Sequence, residues 1–308
     1  DGQSDDARMA ISLAHTIEKH GGTVINYCKW ESFIYENDIV SGIIVTDQLS
    51  NKSHTLKAKV VVNATGVFAE KIMRTDDPQS ELSIKPSRGV HLVLDKSFLN
   101  SDNAIMVPNT SDGRVLFAVP WHDVVILGTT DTEVTDITIE PSASDEEIEF
   151  ILSNAEKYMT RKPKRSDVKS VFAGLRPLIS RENKSSKSLS RKHTIYKSKK
   201  GVFHLLGGKW TTYRKMGKDV LDLINSTNSL NTESSNTENL KIFGYKQDVY
   251  WDDPLHFYGS EKPLVSSMGS NELLSPLLPI SESQVIYAIK FEMAQTIEDV
   301  LSRRTRCL

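Results

Sequence analysis

The first sixty or so residues combine one helical pattern of apolar positions with several short strand patterns. Apolar residues recur at helical spacing after Asp5 and Asp6 and stop at Gly21-Gly22, which predicts a helix over residues 5–20 with an acidic N-terminus. Short β-branched or alternating runs follow, separated by turn-forming residues. They predict strands at 23–27, 32–35, 40–46 and 56–63. The predicted order is helix, strand, β-meander and strand.

A second block begins at Ile84, is rich in short strands, and is predicted to form one antiparallel sheet. Within it, Ser111-Asp112-Gly113 separates two alternating runs, as the turn of a β-hairpin does. Ser144 then opens a helix that extends to about Tyr158. The strands of this block are predicted at 90–94, 104–107, 115–119 and 124–128.

A third block is a strand, a glycine turn and a helix. The apolar run 202–206 predicts a buried strand, which passes through Gly207-Gly208-Lys209 into an amphipathic helix over 211–224. This unit matters most for function, because a glycine turn at the start of a helix allows a ligand to approach the backbone closely.

The composition changes abruptly after Ile224. Ser, Thr, Asn and Glu dominate residues 225–239, which predicts a flexible linker because almost no side chain there is apolar. A proline-interrupted loop over 254–279 and a last helix over 282–306, with an apolar stripe, follow. These elements predict the start of a small helical domain.

Composition and charge exclude several classes of function. Of the 308 residues, 38 are Lys or Arg and 40 are Asp or Glu, so the net charge of −2 does not favour a nucleic-acid surface. Cys28 and Cys307 stand far apart, which fits a reducing compartment and no disulfide framework. No run approaches the roughly 18 apolar residues that span a bilayer. Because the chain begins without Met at a helix cap, we expect it to be a piece of a longer sequence.

Two strand-to-turn segments are candidate ligand-binding loops. Residues 60–66 form a buried strand that ends in a small-residue turn, although a plain tight turn is an equally simple interpretation. In the segment 205–215, two glycines permit approach to a flat ring and the helix start favours an anion such as a reduced flavin. Lys209 could instead face solvent as part of a helix cap.

Three positively charged positions are candidates for binding an anionic substrate. Arg176 lies among apolar residues, where a guanidinium must be paired or must bind an anion, and a structural ion pair remains the alternative. Arg191 adds positive charge before a strand. His91 enters an apolar strand on the face opposite Val90 and Leu92, and taken alone it is equally well explained as a structural histidine.

Familiar catalytic motifs are absent from the sequence. It contains no GxGxxG, Walker loop, HExxH or GxSxG motif and no metal-ligand spacing. The sequence therefore gives no support to a metalloenzyme, a protease or a kinase, and we predict no metal site.

Seven motifs occur in one order and together resemble the FAD-dependent glycerol-3-phosphate dehydrogenases, the quinone-reducing enzymes of aerobic glycerol metabolism. The resemblance covers residues 1 to about 224, and the final YAIKFEMAQTIEDVLSRRTRCL resembles the start of the family's C-terminal helical domain. The seven motifs are DGQSDDAR, VVVNATGVFAEKI, RGVHLVLD, AIMVPNTSDGRVLFAVPW, LGTTDTE, VFAGLRPLI and LGGKWTTYRKM.

The resemblance implies a mixed α/β and α+β architecture. It is the FAD-dependent oxidoreductase fold of the glucose-oxidase or D-amino-acid-oxidase type, with an antiparallel substrate domain inserted into a discontinuous FAD domain. The implied order of domains is FAD domain over 1–75, substrate domain over 76–195, return segment of the FAD domain over 196–224, flexible linker over 225–240 and partial C-terminal helical domain over 241–308.

The resemblance also implies roles for particular residues in the oxidation of sn-glycerol 3-phosphate to dihydroxyacetone phosphate, with FAD as the cofactor. His91, Arg176 and Lys209 are implied to be catalytic, and the same three with Arg191 are implied to bind substrate. The residues implied to contact the flavin nucleotide are Thr65, Gly66, Gly207, Gly208, Thr211 and Thr212.

Partners and location follow from the same resemblance. It implies a quinone as electron acceptor and a cytoplasmic protein, and it leaves open peripheral contact with the inner face of a membrane and a homodimer. Relative to the family, we expect the N-terminal GxGxxG segment to be missing, so the chain alone would bind FAD poorly. Alternatives are an oxygen-dependent glycerol-3-phosphate oxidase, an inactive fragment, or a module that binds a phosphorylated metabolite.

Overall fold

The computed structural model describes residues 4–108, 110, 113–181, 192–228, 234–250, 252–276 and 278–307. The chain divides into two compact units. The first comprises Asp1–Cys28, Gln48–Ser50 and Ser234–Leu308, and the second comprises Lys29–Asp47 and Asn51–Glu233.

Within the described residues the α-helices are α1 (Asp6–Lys19), α2 (Ala69–Asp76), α3 (Asp145–Ala155), α4 (Tyr213–Asn228), α5 (Lys262–Ser266) and α6 (Glu282–Phe291). The strands are β1 (Cys28–Glu36), β2 (Ile39–Asp47), β3 (Lys52–Lys57), β4 (Val62–Asn63), β5 (Leu82–Asp95), β6 (Ile105–Val107), β7 (Leu116–Trp121), β8 (Val124–Gly128), β9 (Thr132–Glu133), β10 (Ser170–Arg181), β11 (Thr194–Lys197), β12 (Phe203–Leu206), β13 (Leu273–Ser275) and β14 (Leu278–Ser281).

The largest sheet of the second unit is antiparallel, as the sequence predicts. Its strands run in the order β10-β5-β8-β7-β6, and β9 pairs with the other part of β5. The strand pairing of the predicted hairpin is confirmed, because β6 pairs with β7 in antiparallel register, whereas Ser111 and Asp112 of its turn lie outside the described residues. Helix α3 covers one face of this sheet, where Val90, Leu92 and Leu127 form a core with Ile151 of the helix.

Helix α3 begins at the predicted position because its N-terminus is capped. The Ser144 hydroxyl accepts a hydrogen bond from the amide of Glu147 at 3.3 Å, and the Glu147 carboxylate accepts one from the amide of Ser144 at 3.0 Å. This reciprocal capping box satisfies two amides that an uncapped helix would leave without partners.

A smaller sheet of the second unit has the order β11-β12-β4. Strand β12 runs parallel to β4 and antiparallel to β11. The prediction of one continuous strand over 56–63 is wrong, because residues 52–57 pair with β2 in the meander whereas only Val62–Asn63 join this sheet. Helix α4 packs on the sheet through Val220 and Ile224 and continues to Asn228, past the predicted end of the helix.

An apolar cluster joins the two sheets within the second unit. It contains Ala69 and Met73 of α2, Ile84 of β5, Ile179 of β10 and Leu206 of β12. One end of the long β5–β10 pair is therefore packed against the strand and helix that flank the candidate ligand-binding loops.

The first unit contains α1, α5, α6 and the β13–β14 hairpin. Helix α1 is confirmed, with Asp5 as its N-cap. The predicted strand over 23–27 is absent, since Tyr27 has a φ of 52° and the Asn26 side chain binds the Met293 carbonyl at 2.7 Å instead of joining a ladder. The predicted loop over 254–279 contains α5 because Tyr258 and Val265 are buried in a local core.

The prediction of a single helix over 282–306 is wrong. Helix α6 ends at Phe291, and Met293 has a φ of 55°, which is incompatible with an α-helix. A separate π-helical turn spans Asp299–Arg304. The Asp299 carboxylate accepts hydrogen bonds from the amides of Gln295 and Thr296 at 2.8 and 3.0 Å and so organises a new helix start.

Candidate active site

Both candidate ligand-binding loops leave the same edge of the smaller sheet. In the parallel β4–β12 pair, Val62 lies opposite Phe203 and Asn63 lies opposite His204. Thr65-Gly66 follows β4 and Gly207-Gly208 follows β12, so both turns begin at the carboxyl ends of neighbouring parallel strands. This edge is where open α/β sheets bind ligands.

The Gly207-Gly208 turn requires glycine at both positions. Their φ angles are 66° and 90°. A Cβ at Gly207 would lie 2.6 Å from Ile179 Cδ1, and a Cβ at Gly208 would overlap the Met216 side chain. A larger residue would be strained at either position, which accounts for the two glycines of this turn.

The turn leads directly into a helix start suited to an anion. A 3₁₀ turn over Trp210–Thr212 begins after Lys209 without a side-chain cap and continues into α4. Lys209, Thr211 and Thr212 are exposed, although the Thr212 hydroxyl also donates to the Lys209 carbonyl at 3.0 Å. The amides and the helix dipole favour negative charge in front of this turn.

The turn after β4 is also shaped for close approach. Gly66 has a φ of 61°, and a Cβ there would meet no atom within 4 Å. Thr65 is exposed, and its hydroxyl donates to Asn63 Oδ1 at 2.7 Å. Open space beside a left-handed glycine is consistent with a ligand lying against the backbone.

His91 projects from the large sheet on the face opposite its apolar core. Val90 and Leu92 are fully buried, whereas His91 is partly exposed. Its ring stacks on Phe172 of β10, with centroids 5.0 Å apart and planes 12° apart. A Cβ at Gly128 of β8 would overlap the imidazole, so the ring lies over a glycine and beside an aromatic side chain.

Arg176 lies on the same face of the sheet as His91. Phe172, opposite His91, and Arg176 are four residues apart on β10, a spacing that returns to the same side of a strand. The guanidinium lies over Gly89, where a Cβ would overlap it. The side chain is 29% exposed, which leaves part of it accessible to a ligand.

The residues that follow β8 hold the Arg176 guanidinium in place. It donates to the Thr130 carbonyl at 3.1 Å and to Thr129 Oγ1 at 2.9 Å, and Nη1 lies 3.8 Å from Asp131 Oδ1. The structural ion pair considered from the sequence is therefore present. This ion pair orients the Arg176 guanidinium but leaves part of the side chain exposed.

Thr130 connects the positions of His91 and Arg176. Its hydroxyl accepts a hydrogen bond from the amide of Val90 at 3.0 Å and donates to Glu147 Oε1 at 3.1 Å. Burial opposes ionisation of Glu147, but the Ser144 amide and the Arg88 ion pair at 2.8 Å lower its pKa. The charged end of the α3 capping box thus supports both candidate residues through Thr130.

Strand β10 brings the two parts of the candidate site close together. It carries Arg176, contacts the 3₁₀ turn that begins at Gly66, and places Ile179 against Gly207. Arg191, the other predicted substrate residue, lies outside the described residues.

Sequence reasoning did not single out Asn63, Thr130, Glu147, Phe172 or His204. Two of these carried a usable signal, because Asn63 and His204 are polar residues within otherwise apolar strands. A polar side chain at such a position must find a buried partner.

With this geometry established, comparisons with known proteins identify the family. Residues 1–219 match the family described as FAD dependent oxidoreductase. The chain belongs to this family. Residues 203–308 also match the C-terminal domain of alpha-glycerophosphate oxidase.

Several relatives in the FAD-dependent oxidoreductase family are similar over nearly the whole chain. The probable mitochondrial glycerol-3-phosphate dehydrogenase of Dictyostelium discoideum is 33% identical over 345 residues, covering 99% of this chain and 54% of the relative. The human mitochondrial glycerol-3-phosphate dehydrogenase is 34% identical over 343 residues, covering 99% of this chain and 46% of the relative. The chain thus spans about half the length of these curated relatives.

Solved structures agree with the family fold. The structure of glycerol-3-phosphate dehydrogenase from Bacillus halodurans, complexed with FAD, matches with a TM-score of 0.85 at 30% identity and covers 98% of this chain and 64% of that chain. L-alpha-glycerophosphate oxidase from Mycoplasma pneumoniae matches with a TM-score of 0.54 at 16% identity, covers 69% of this chain and 54% of that chain, and shares the fold alone.

The described residues contain neither a candidate membrane-spanning helix nor a candidate metal site. No helix there has both the length and the apolar composition needed to cross a membrane. No group of three or more His, Cys, Asp or Glu side chains in the same residues is arranged to hold a metal ion.

Proposed function

We propose that this chain supplies the substrate-facing sheet and part of the FAD site of an enzyme that oxidises sn-glycerol 3-phosphate to dihydroxyacetone phosphate. The observation that carries the proposal is the presence of His91 and Arg176 on one sheet face, on strands that pack against the glycine turns. The names of the relatives, which are glycerol-3-phosphate dehydrogenases, support it.

The residues at the edge of the smaller sheet fit a flavin nucleotide. Gly207 and Gly208 would lie against the ring, Thr211 and Thr212 would line the helix start, and Thr65 with Gly66 would contact the nucleotide. FAD bound there would supply the acceptor for the hydride that leaves C2 of the substrate. The uncapped helix start before α4 stabilises negative charge at that place.

In this proposal, positive side chains hold the substrate. Arg176 and Lys209 bind the phosphate or polarise the C2 oxygen, and Arg191 adds charge for the phosphate. Arg176 is suited to this task because Thr129 and Thr130 fix its guanidinium before the substrate arrives.

His91 would assist removal of the proton of the C2 hydroxyl. Phe172 and Gly128 confine its ring, so the imidazole needs no reorientation when the substrate binds. The proposed electron acceptor is a quinone, as in the dehydrogenases that the sequence resembles. A homodimer and peripheral membrane contact belong to the same proposal.

The comparisons bear on two open points, the electron acceptor and the cellular location. The match of residues 203–308 to a domain of alpha-glycerophosphate oxidase favours oxygen as a second candidate electron acceptor. Comparing reoxidation by a soluble quinone with reoxidation by oxygen would separate the two. Both curated relatives are named as mitochondrial, so the cytoplasmic location stays a proposal that cell fractionation would test.

An absorbance spectrum tests the proposal directly. The purified chain is incubated with FAD, desalted, and scanned from about 300 to 550 nm before and after addition of glycerol 3-phosphate. Retained flavin absorbance that bleaches with substrate would show that this chain alone assembles a working flavin site. A colourless chain would make it an inactive fragment, as its poor expected FAD binding allows, and a complete enzyme that stays colourless would contradict the proposal.

A second measurement addresses the alternative of a module that binds a phosphorylated metabolite. The affinity for glycerol 3-phosphate is measured with and without FAD. A substrate pocket that includes the flavin predicts strong positive coupling between the two ligands, whereas an independent phosphate-binding module predicts none.

A further inference from the structure

A chain of buried polar side chains links the two candidate flavin loops. His204 is fully buried, and the exposed fractions of Asn63 and Asp76 are 4% and 3%. His204 Nδ1 lies 3.0 Å from Asn63 Nδ2, and His204 Nε2 lies 3.3 Å from Asp76 Oδ2. Asp76 Oδ1 in turn accepts a hydrogen bond from the Tyr35 hydroxyl at 2.7 Å.

The orientation of the Asn63 side-chain amide is fixed by two backbone groups, one of which can only accept a hydrogen bond and the other only donate one. The Ala69 carbonyl, which can only accept, lies 2.9 Å from Asn63 Nδ2. The Thr65 amide, which can only donate, faces Asn63 Oδ1 at 3.4 Å, and the Thr65 hydroxyl donates to the same oxygen. The group that faces His204 is therefore the NH₂ of Asn63.

This orientation determines the protonation state of His204. Because Asn63 donates to Nδ1, that nitrogen must accept, and the ring proton must reside on Nε2, where it is donated to Asp76. An imidazolium would place an N–H against the Asn63 NH₂. Burial also lowers the pKa of His204, although Asp76 opposes this effect.

The position of this network in the fold relates it to ligand binding. Asn63 closes the loop 63–69, which carries Thr65 and Gly66, through its bond to Ala69. His204 precedes Gly207 by three residues on the neighbouring strand. Strand β4 contributes only two residues to the ladder, so the bond between Asn63 and His204 supplies a connection that the short backbone pairing does not.

We propose that His204, as the neutral Nε2–H tautomer, is a positioning residue that fixes the two candidate flavin loops relative to each other through Asn63. This inference rests on the proposed function only for the identity of the ligand at the loops.

The surroundings of His204 contain other titratable groups that face it. Tyr196 of β11 stacks on its ring with centroids 5.9 Å apart, and the Tyr196 hydroxyl donates to Asp77. Asp76 and Asp77 lie at the end of α2, and Tyr35 lies on β1. Because these groups also titrate, the pH dependence of any property must be measured for the unaltered chain and for a variant that lacks only the His204 imidazole. The difference between the two reports on His204.

Hydrogen exchange of the chain without FAD tests the proposal. His204→Leu removes both polar contacts, and we expect exchange of amides in 63–69 and 205–212 to accelerate at least about 10-fold while the strands of the large sheet keep their protection. His204→Gln, which can still accept from Asn63 and donate to Asp76, should restore protection at both loops. Tyr35→Phe is the matched control, since it removes a bond to Asp76 without touching Asn63.

Uniform acceleration over the whole second unit, or no change at the two loops, would overturn the proposal. If His204→Leu fails to fold, ¹⁵N NMR of the histidine rings in the unaltered chain decides the question. A neutral Nε2–H ring at about pH 6, where exposed histidines are titrating, is expected. An Nδ1–H tautomer or an imidazolium at that pH would refute the assignment.

FAD affinity separates this inference from the proposed function. Loss of loop protection in His204→Leu, together with a complete enzyme that binds no FAD, would leave the positioning role standing and contradict the flavin site. FAD binding that is unchanged in His204→Leu, with unchanged loop exchange, would reject the positioning role and leave the flavin site intact.

Discussion

The two sheets of the second unit place the candidate functional side chains by different means. In the large sheet, β10 and β5 pair over their shared length from Ser170–Val93 to Arg181–Leu82, so backbone register places His91 and Arg176. In the smaller sheet, β4 pairs through Val62 and Asn63 alone, and the loops are held by glycine turns and the Asn63–His204 bond.

This difference predicts different sensitivity to mutation. A long ladder distributes the positioning of a residue over many backbone hydrogen bonds, so changing one neighbouring side chain shifts it little. A short ladder that depends on one buried side-chain contact and on left-handed glycines can be disrupted by a single substitution. We therefore expect the largest effects at the smaller sheet.

The largest expected effect is at Gly208. Gly208→Val should abolish FAD retention, because its φ of 90° disfavours a β-branched residue and the new side chain would meet Met216. Retention is measured on the complete enzyme by absorbance after desalting. Gly217→Ala on α4, where a Cβ meets no atom within 4 Å, is the control and should retain FAD as the unaltered complete enzyme does. Normal retention by Gly208→Val would argue against the role of this turn.

The second largest expected effect of a substitution is at Arg176 on the large sheet. Arg176→Ala should lower kcat/KM for glycerol 3-phosphate by roughly 10- to 100-fold, with both turnover and affinity reduced, since charged hydrogen bonds to the substrate are lost. Steady-state kinetics of the complete enzyme measure this. Arg165→Ala, at an exposed ion pair with Asp145, should leave kcat/KM unchanged. Unaltered efficiency in Arg176→Ala would reject its assignment to the substrate site.

The pH dependence of stability sharpens the comparison. Because burial lowers the pKa of His204, the unfolded chain binds a proton below about pH 6.5 that the folded chain does not. Its contribution to the free energy of unfolding is complete above about pH 6.5. It falls by about 1.4 kcal/mol per pH unit below that value, until the pKa of the folded state is reached.

Urea unfolding of the chain and of His204→Gln at several pH values measures this contribution. The free energy of unfolding of the unaltered chain, relative to that of His204→Gln, should decrease as the pH falls below about 6.5. If the free energy of unfolding had the same slope against pH in the two proteins, His204 would titrate alike in the folded and unfolded states.

The smallest effect is expected at the cap of α3. Ser144→Ala should lower the free energy of unfolding by about 1 kcal/mol through loss of the bond to the Glu147 amide. The kcat/KM of the complete enzyme should stay near its original value, because the ladder and the Arg88–Glu147 pair still place His91 and Arg176. A large loss of kcat/KM in this variant would show that the helix cap, not the register, places these residues.

Sequence reasoning predicted the elements whose signals are local. Asp5 and Ser144 mark helix starts, and the antiparallel block with its hairpin follows from alternation and turn residues. It failed where a distant contact decides the structure. Asp299 starts a new turn after Met293 breaks the last predicted helix, and Asn26 binds the Met293 carbonyl across a separation of 267 residues.

The candidate site likewise combines residues that could be predicted from the sequence with residues that could not. The resemblance proposed its positive residues and its glycines, and the alternation of β5 indicated the face of His91. The bond between Asn63 and His204 spans 141 residues, so no local pattern could pair them. A polar residue in an apolar strand indicates that it has a buried hydrogen-bonding partner, but the local sequence does not identify that partner.

The glycine beneath the Arg176 guanidinium has an evolutionary consequence. Even the single methyl group of an alanine at Gly89 would displace the arginine from its place on the sheet. A one-step codon change at Gly89 would thus move the positive charge on this face of the sheet. If Arg176 binds the substrate as proposed, substrate charge preference changes through Gly89 without replacement of the arginine itself.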